Sequence, residues 1–378
     1  MPEDHAIGGD ERLALFRAEW PERVSWAEVR AEDPEAFRMA ARGGLLLIAA
    51  LAFSLLWLAL AFEFPLPILL PDWIDWMQPL LFVVSLWGGI MLWLAGLIML
   101  SLPSDARRGI AVKRFGDARG LHYSRFGFAP ERIGIMFAEH RGIPPLPRRV
   151  RENLRRSGAA QNDPERKPLY RAEFVLWRGL AYEPELQIAR ASFSGSKSDT
   201  RGPRDSFRYL SIGLPRRLPH LMIDSLRNGR MRNILPGDER ISLEGDFDRH
   251  FAAYAPNGYE RDALELLTPD VMACLIDHGR SWDLEVVEDR LFVVSSRVRG
   301  GSDRAEIPAL LRFAELIGDE LGHQASSYTD PRAERPRSEI AVAGRRLRRR
   351  SRLWATAIAV VALLAWIGFP WVLGLFLD

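Results

Sequence analysis

The sequence predicts an α+β cytoplasmic domain anchored by three transmembrane α-helices, two N-terminal and one C-terminal. Three observations predict it. The first is a set of uncharged apolar blocks: 20 residues at 43–62, 29 at 76–104 and 25 at 353–377. Roughly 20 apolar residues cross a bilayer core, so each block is long enough. The second is the placement of basic residues around those blocks. The third is a polar middle segment in which strand-like alternation precedes helical periodicity.

Composition narrows the classes. The 378 residues carry a net charge of only +2, which excludes the global basic field usual in a nucleic-acid binder. Lys113, Lys167 and Lys197 are the only lysines among 51 basic residues, an arginine bias that fits a GC-rich bacterial genome. Cys274 stands alone, so no intramolecular disulfide forms, as expected in a reducing compartment.

Residues 1–42 form a cytoplasmic arm. Ser25 followed by Glu28 is a capping box, and Asp33-Pro34-Glu35 supplies an N-cap and first turn leading into the first span. Arg12, Arg17, Arg23, Arg30, Arg38 and Arg42 all precede that span. Residues 43–104 hold two spans and a short loop, EFPLPILLPDWIDWMQP, which has acidic residues and no basic one. After the second span come Arg107, Arg108, Lys113, Arg114 and Arg119. Ahead of the third stand Arg345, Arg346, Arg348, Arg349, Arg350 and Arg352, and after it only Asp378.

Basic residues mark cytoplasmic flanks, and every flank agrees. The N-terminus and the middle segment are expected in the cytoplasm of a bacterial inner membrane, with the short loop and C-terminus outside. The six arginines at 345–352 are expected to contact anionic lipid headgroups rather than nucleic acid. Ser85 with Gly89, and Ala355 with Ala359, are small-residue pairs suited to close helix packing. The blocks contain no ionisable residue, which argues against an ion or proton path through them.

Residues 105–168 read as a connector, basic and Pro-rich from 141 onward. Pro144-Pro145-Leu146-Pro147 is either solvated linker or a polyproline surface for a partner. The α+β domain is placed at 169–330. YRAEFVLW, LQIARASF, FRYLSIGL and HLMIDSL alternate as strands. Thr268-Pro269 starts a helix with Val271, Cys274, Leu275 and His278 on one face, ended by Gly279. WDLEVVEDRLFVVSS reads as a hairpin turning at Glu288-Asp289, and Ile307, Leu310, Leu311, Ala314, Ile317 and Leu321 mark an amphipathic helix. A basic linker, 331–352, leads to the third span at 353–377.

Chemistry-bearing patterns are few. GSKSDT lacks the upstream glycine of a phosphate loop, and no Gly-x-Ser-x-Gly, His-Glu-x-x-His or Walker pattern appears. Asp246, Asp248 and His250 would share one strand face and could ligate a metal. On a helical turn, Phe247 and Phe251 would meet instead. A metal centre ordinarily needs a third or fourth convergent ligand, which favours the second reading. Cys274, on an apolar helix face, is expected to be inert. We therefore assign no catalytic, cofactor-binding or metal residue. The first function class is a membrane-tethered interaction or scaffold module with a protein partner. A ligand-sensing or transport-accessory protein comes second, and an enzyme last.

Phe247, Phe251, Tyr254, Ala263, Leu267-Thr268-Pro269, Met272 and LEVVEDRLFVVSS together resemble the domain of unknown function family 3137 of bacterial membrane proteins. The resemblance spans roughly 207–296. It implies a cytoplasmic fold beside hydrophobic spans and brings no catalytic residues. The C-terminal span departs from the family's simpler pattern.

Overall fold

The computed structural model describes residues 20–21, 24–62, 78–127, 134–139, 170–181, 183–193, 207–227, 235, 237–295 and 303–347. The chain divides into two compact units, Met1–Arg125 and Phe126–Asp378.

The first unit is helical: α1 (Trp26–Glu32), α2 (Pro34–Ala61) and α3 (Gln78–Ala118). The capping box forms, with Ser25 Oγ accepting from Glu28 N at 3.2 Å, and Asp33 accepts from Ala36 N at 3.1 Å ahead of Pro34. α2 and α3 run antiparallel and touch backbone to backbone. A Cβ on Gly43 would lie 2.9 Å from Gly96 O, and one on Gly96 would lie 3.0 Å from Gly43 O. Ser85 and Gly89, the small pair legible in the sequence, are buried in α3, whereas the Gly43–Gly96 contact carried no local signal. Trp93 Nε1 adds a hydrogen bond to Ser54 Oγ at 3.1 Å.

Both long helices are apolar enough to cross a membrane, and they turn that surface outward. Leu45, Ile48, Leu51 and Leu55 on α2, and Trp87, Met91, Leu94 and Ile98 on α3, are exposed. A core helix of a soluble protein would bury such side chains.

α3 does not stop at the edge of its apolar block. Its 41 residues span about 60 Å at 1.5 Å per residue, twice a hydrocarbon core of about 30 Å. The polar half packs against the N-terminal arm through Val24, Val29, Ala36, Ala106 and Ile110. Arg107 Nε donates to Val24 O at 2.7 Å while its guanidinium lies 4.6 Å over the Trp26 ring. Arg114 bridges Glu28 at 2.6 Å and Glu32 at 3.1 Å. The hydrogen bond from Ser25, and then Arg114, hold the Glu28 carboxyl below its ordinary range. The connector assigned to 105–168 thus begins as the continuation of a helix. Strand β1 (His122–Gly127) follows across the division between the units.

The second unit is an antiparallel sheet with helices. It holds α4 (Ile135–Glu139), β2 (Tyr170–Leu180), β3 (Glu183–Phe193), β4 (Phe207–Ser225), β5 (Arg240–Ile241) and β6 (Phe251–Tyr254). α5 (Glu260–Leu266), α6 (Pro269–Cys274), β7 (Asp283–Ser295) and α7 (Asp303–Ser327) complete it. Within this unit the strand order is β2-β3-β4-β6-β5, with β7 pairing β4. α7 buries all six apolar residues that its periodicity marks. Its first turn is tied to the sheet by buried Arg208, which pairs with Asp303 and, at 3.2 Å, with Glu306.

Two expectations are corrected here. FRYLSIGL and HLMIDSL are one 19-residue strand, β4, which continues through Pro215 and Pro219. The expected hairpin at Glu288-Asp289 is likewise one strand, β7. Leu284 and Val286 pair with Ile223 and Leu221, and Leu291 and Ser295 pair with Ile212 and Arg208, all on β4. The cause is a matched break: β4 loses register between Gly213 and Leu221, where its prolines donate nothing, and Glu288 opposite adopts φ 56°. The two long strands bend together instead of β7 folding on itself.

The helix after Thr268 starts as predicted, with Thr268 accepting from Val271 N, but ends in a π turn, Leu275–Gly279. The wider turn carries Gly279 onto the buried side against Phe313 and leaves His278 exposed.

The folded body is also wider than 169–330. Phe137 of α4 sits edge-on to Phe207 and Tyr209 at 5.3 Å and to Phe292 at 5.1 Å, and Leu347 belongs to the same core. Neither position carries a pattern, because each contributes isolated apolar residues rather than a periodic face. A fragment of residues 134–347 is therefore expected to unfold cooperatively in denaturant, whereas 169–330 is not. Phe137→Ala in the longer fragment is expected to cost about 3–5 kcal/mol in the same measurement.

Candidate functional site

Two buried polar clusters organise the second unit. The first centres on Glu285 of β7, whose side chain is fully buried. One carboxylate oxygen accepts from Ile135 N at 2.5 Å and the other from Met136 N at 2.9 Å. Gly134 precedes them because a Cβ there would collide with that carboxylate. The third partner is His220 Nε2 on β4, 2.7 Å from Glu285 Oε1. The other ring nitrogen, Nδ1, accepts from Leu347 N at 3.2 Å. These partners assign the neutral ring with its proton on Nε2.

A carboxylate orienting a histidine is also how a general base is built. Here Nδ1, the nitrogen that would take a proton from substrate, is filled by a backbone N–H, and both side chains are buried. The pair acts as a knot: it joins α4, the bent strands and the chain at 347 through one buried charge.

The second cluster holds the strap, residues 328–347, against α5. Tyr328 donates to Asp262 at 2.8 Å, and Arg332 reaches both Asp262 oxygens at 3.1 and 3.0 Å. Asp330 accepts from Tyr259 Oη at 2.8 Å, from Ala341 N at 2.9 Å and from Arg332 N at 3.0 Å. The Arg332 guanidinium lies 4.3 Å over the Tyr259 ring. Gly344 lets the strap close, since a Cβ there would sit 2.5 Å from Tyr259 Cζ.

Burial opposes ionisation of Asp330, yet the bonds from Ala341, Tyr259 and Arg332 hold its carboxyl below the ordinary value. Burial, then Asp330, push the Tyr259 hydroxyl up to about 12. Burial, then the bond to Asp262, raise Tyr328 as well, and Asp262 raises Arg332. The carboxylates of both clusters are thus turned inward, while Arg332 stays exposed over the second.

The residues singled out by sequence fare differently. Asp246, Asp248 and His250 follow the helical-turn reading: Phe247–Arg249 is a 3₁₀ turn, and the Phe247 and Phe251 rings stack at 5.1 Å. Asp248 instead accepts from Ser242 Oγ at 2.6 Å. Among the described residues no group of three or more His, Cys, Asp or Glu side chains is placed to hold a metal. Cys274 is half-buried, and burial, with Glu320 and Asp277, pushes its thiol up to about 11. Arg345 and Arg346 are exposed at the strap's end, and Arg345 Nε donates to Ile340 O at 2.8 Å. Arg348, Arg349, Arg350, Arg352, the GSKSDT stretch and Pro144-Pro145-Leu146-Pro147 lie outside the described residues.

Sequence reading missed Glu285, His220, Asp262 and Asp330. The one available signal was a glutamate inside an otherwise apolar run, Leu284 to Val287, where an unpaired acid has no reason to be.

No protein-family model matches the chain, and no curated protein matches it. A solved structure, the crystal structure of the mycobacterial trehalose monomycolate transport factor A, is similar at 10% identity. The likeness covers 56% of this chain and 93% of that one with a TM-score of 0.32, too loose to carry an argument.

Two outcomes are expected. Glu285→Gln removes the charge that three donors face and should lower unfolding free energy by about 3 kcal/mol or more in a denaturant titration. Asp330 has its folded value below the ordinary 3.8, so its stabilisation is full above that value and lost as pH falls through the native one. An acid-denaturation profile of Asp330→Asn should lack that component and be flatter in the same range.

Proposed function

We propose that this chain is an integral protein of the bacterial inner membrane whose cytoplasmic α+β domain serves as a tethered interaction scaffold for a protein partner. The observation that carries the reading is the outward apolar surface of α2 and α3, continuous with a polar, arginine-anchored extension of α3. Water does not solvate such a hairpin, and acyl chains do. The arginines beyond the apolar blocks support an N-terminus and domain on the cytoplasmic side. They equally support a third span at 353–377 with the C-terminus outside.

Membership of the domain of unknown function family 3137 is part of the same proposal, resting on the 207–296 pattern. The scaffold role is supported by the buried carboxylates Glu285, Asp262 and Asp330, each engaged by donors within the domain. The strap delivers Arg345 and Arg346, and the sequence adds Arg348, Arg349, Arg350 and Arg352, as a basic segment facing anionic headgroups.

Reporter fusions test the topology: a reporter active only outside the cytoplasm should work after Asp378 and fail near Gly195. The reverse pattern removes the reading. Replacing the six arginines at 345–352 with Gln should weaken association with anionic lipid by at most about 6 kcal/mol, about 1 per residue, and blur the C-terminal orientation. Cross-linking in native membranes should capture a stoichiometric protein partner. A metabolite or metal co-purifying with the domain instead would transfer the protein to the sensor or enzyme class.

A further inference from the structure

The short helix α1 divides its side chains among three faces. Val29 is buried in the small core with Val24, Ala36, Ala106 and Ile110. Glu28 and Glu32 share a second face and both meet Arg114, at 2.6 and 3.1 Å. Trp26 and Arg30 share the third, which is exposed. Trp26 remains 48% exposed although Arg107 covers its ring at 4.6 Å and Phe37 meets it edge-on at 6.3 Å. The Arg30 guanidinium lies 4.8 Å over the same Phe37 ring. Trp20, by contrast, is buried against Phe115 at 5.1 Å.

Charge is sorted in the same way. Of the acids on α1 and at the start of α2, Arg114 engages Glu28 and Glu32, and Asp33 caps α2. That leaves exposed Glu35 against exposed Arg30, Arg38 and Arg42, none of which forms an ion pair among the described residues. Position along the helices gives the two polar faces opposite directions. Arg114, on the acidic side, is seven residues beyond Arg107, about 10 Å farther from the apolar block of α3. Arg107 is only three residues past Ser104, where that block ends, or about 4.5 Å. Phe37 lies six residues, about 9 Å, ahead of Gly43, where the block of α2 begins. The headgroup layer of a bilayer is about 5–7 Å thick on each side of the hydrocarbon core. Indole rings favour that layer, and guanidinium groups bind its phosphates.

We propose that the Trp26–Arg30 face of α1, with Phe37 and Arg107, is an interfacial seat that rests in the headgroup layer of the inner leaflet and binds the phosphates of anionic phospholipid. The seat rests on the membrane reading of α2 and α3 and adds to it a depth and a ligand for the N-terminal arm. It also fixes how far α3 protrudes, because Arg107 and Arg114 tie the arm to the polar half of that helix.

The test is ¹⁹F NMR of the full chain carrying fluorotryptophan, in nanodiscs of mixed phosphatidylcholine and phosphatidylglycerol. Trp26→Phe identifies the signal of Trp26, and Trp87→Phe that of Trp87, which is exposed within the apolar block of α3. A nitroxide on the lipid headgroup should broaden the Trp26 signal, and one in mid-chain should broaden Trp87. The headgroup nitroxide should act more strongly on Trp26 when phosphatidylglycerol carries it than when phosphatidylcholine does. Arg30→Gln, a change at an exposed side chain, should reduce that preference by up to about fivefold, the factor for one basic residue at an anionic surface. A Trp26 signal untouched by the headgroup nitroxide while Trp87 responds overturns the seat and leaves the spans standing. Equal broadening by the two lipids, or a preference unchanged in Arg30→Gln, overturns it as well. An unresponsive Trp87 removes the membrane reading, and the seat with it.

Discussion

A single buried carboxylate holds the second unit together. Glu285 stands fully buried on β7, and isolated charges are not tolerated at such a depth. It is tolerated here because three donors converge on it: Ile135 N, Met136 N and His220 Nε2. His220 then passes the constraint to Leu347. Pieces of chain more than a hundred residues apart in sequence are thereby fixed to one another (the Leu347–His220 bond alone spans 127). Much else follows from that arrangement. Gly134 must lack a side chain, Phe137 is delivered into the aromatic core, and the strap must pass close enough to Tyr259 that position 344 is glycine.

The bend shared by β4 and β7 makes this possible. A straight β4 would carry Pro215 and Pro219 as defects in a ladder. Paired with the left-handed Glu288, they become a corner at which both strands turn together. β3 pairs β4 before the corner and β6 pairs it after, so a continuous strand serves both parts of the sheet. His220 and Glu285 lie just beyond the corner, on adjacent strands, where they meet the end of the strap. In the first unit a comparable economy starts from two glycines. Gly43 and Gly96 let two apolar helices touch, and α1 then closes over the polar half of α3 through Arg107 and Arg114.

What the sequence disclosed depended on the range of the cause. Local devices were legible: the Ser25–Glu28 capping box, Thr268-Pro269, the six-residue stripe of α7 and the Phe247–Phe251 pairing are each set by neighbours a few residues apart. The two apolar blocks that form α2 and α3, long enough to cross a membrane, were legible for the same reason. The hairpin expected at Glu288-Asp289 failed because a turn-like pair also suits a corner, and only the partner strand decides between them. The Glu285–His220 knot was hidden more deeply. Its members are single polar residues in apolar runs, and nothing near either residue names the other. The packing of Ile135–Phe137 and Leu347 into the core was hidden likewise, since they join it one at a time.

Through Glu285, α4, the sheet and the strap form one cooperative body. Denaturant unfolding of the protein at neutral pH, followed by three probes, tests it most directly. The ¹⁹F resonance of fluorotryptophan at position 282, resolved from the other eleven, reports the sheet side, one attached dye at Glu139 reports α4, and another at Arg346 reports the strap. Three coincident transitions with one midpoint are predicted, shifting together in Glu285→Gln. A dye at Glu139 or Arg346 that melts well before the Trp282 signal would contradict the claim, and would leave Glu285 a local contact rather than the centre of the fold.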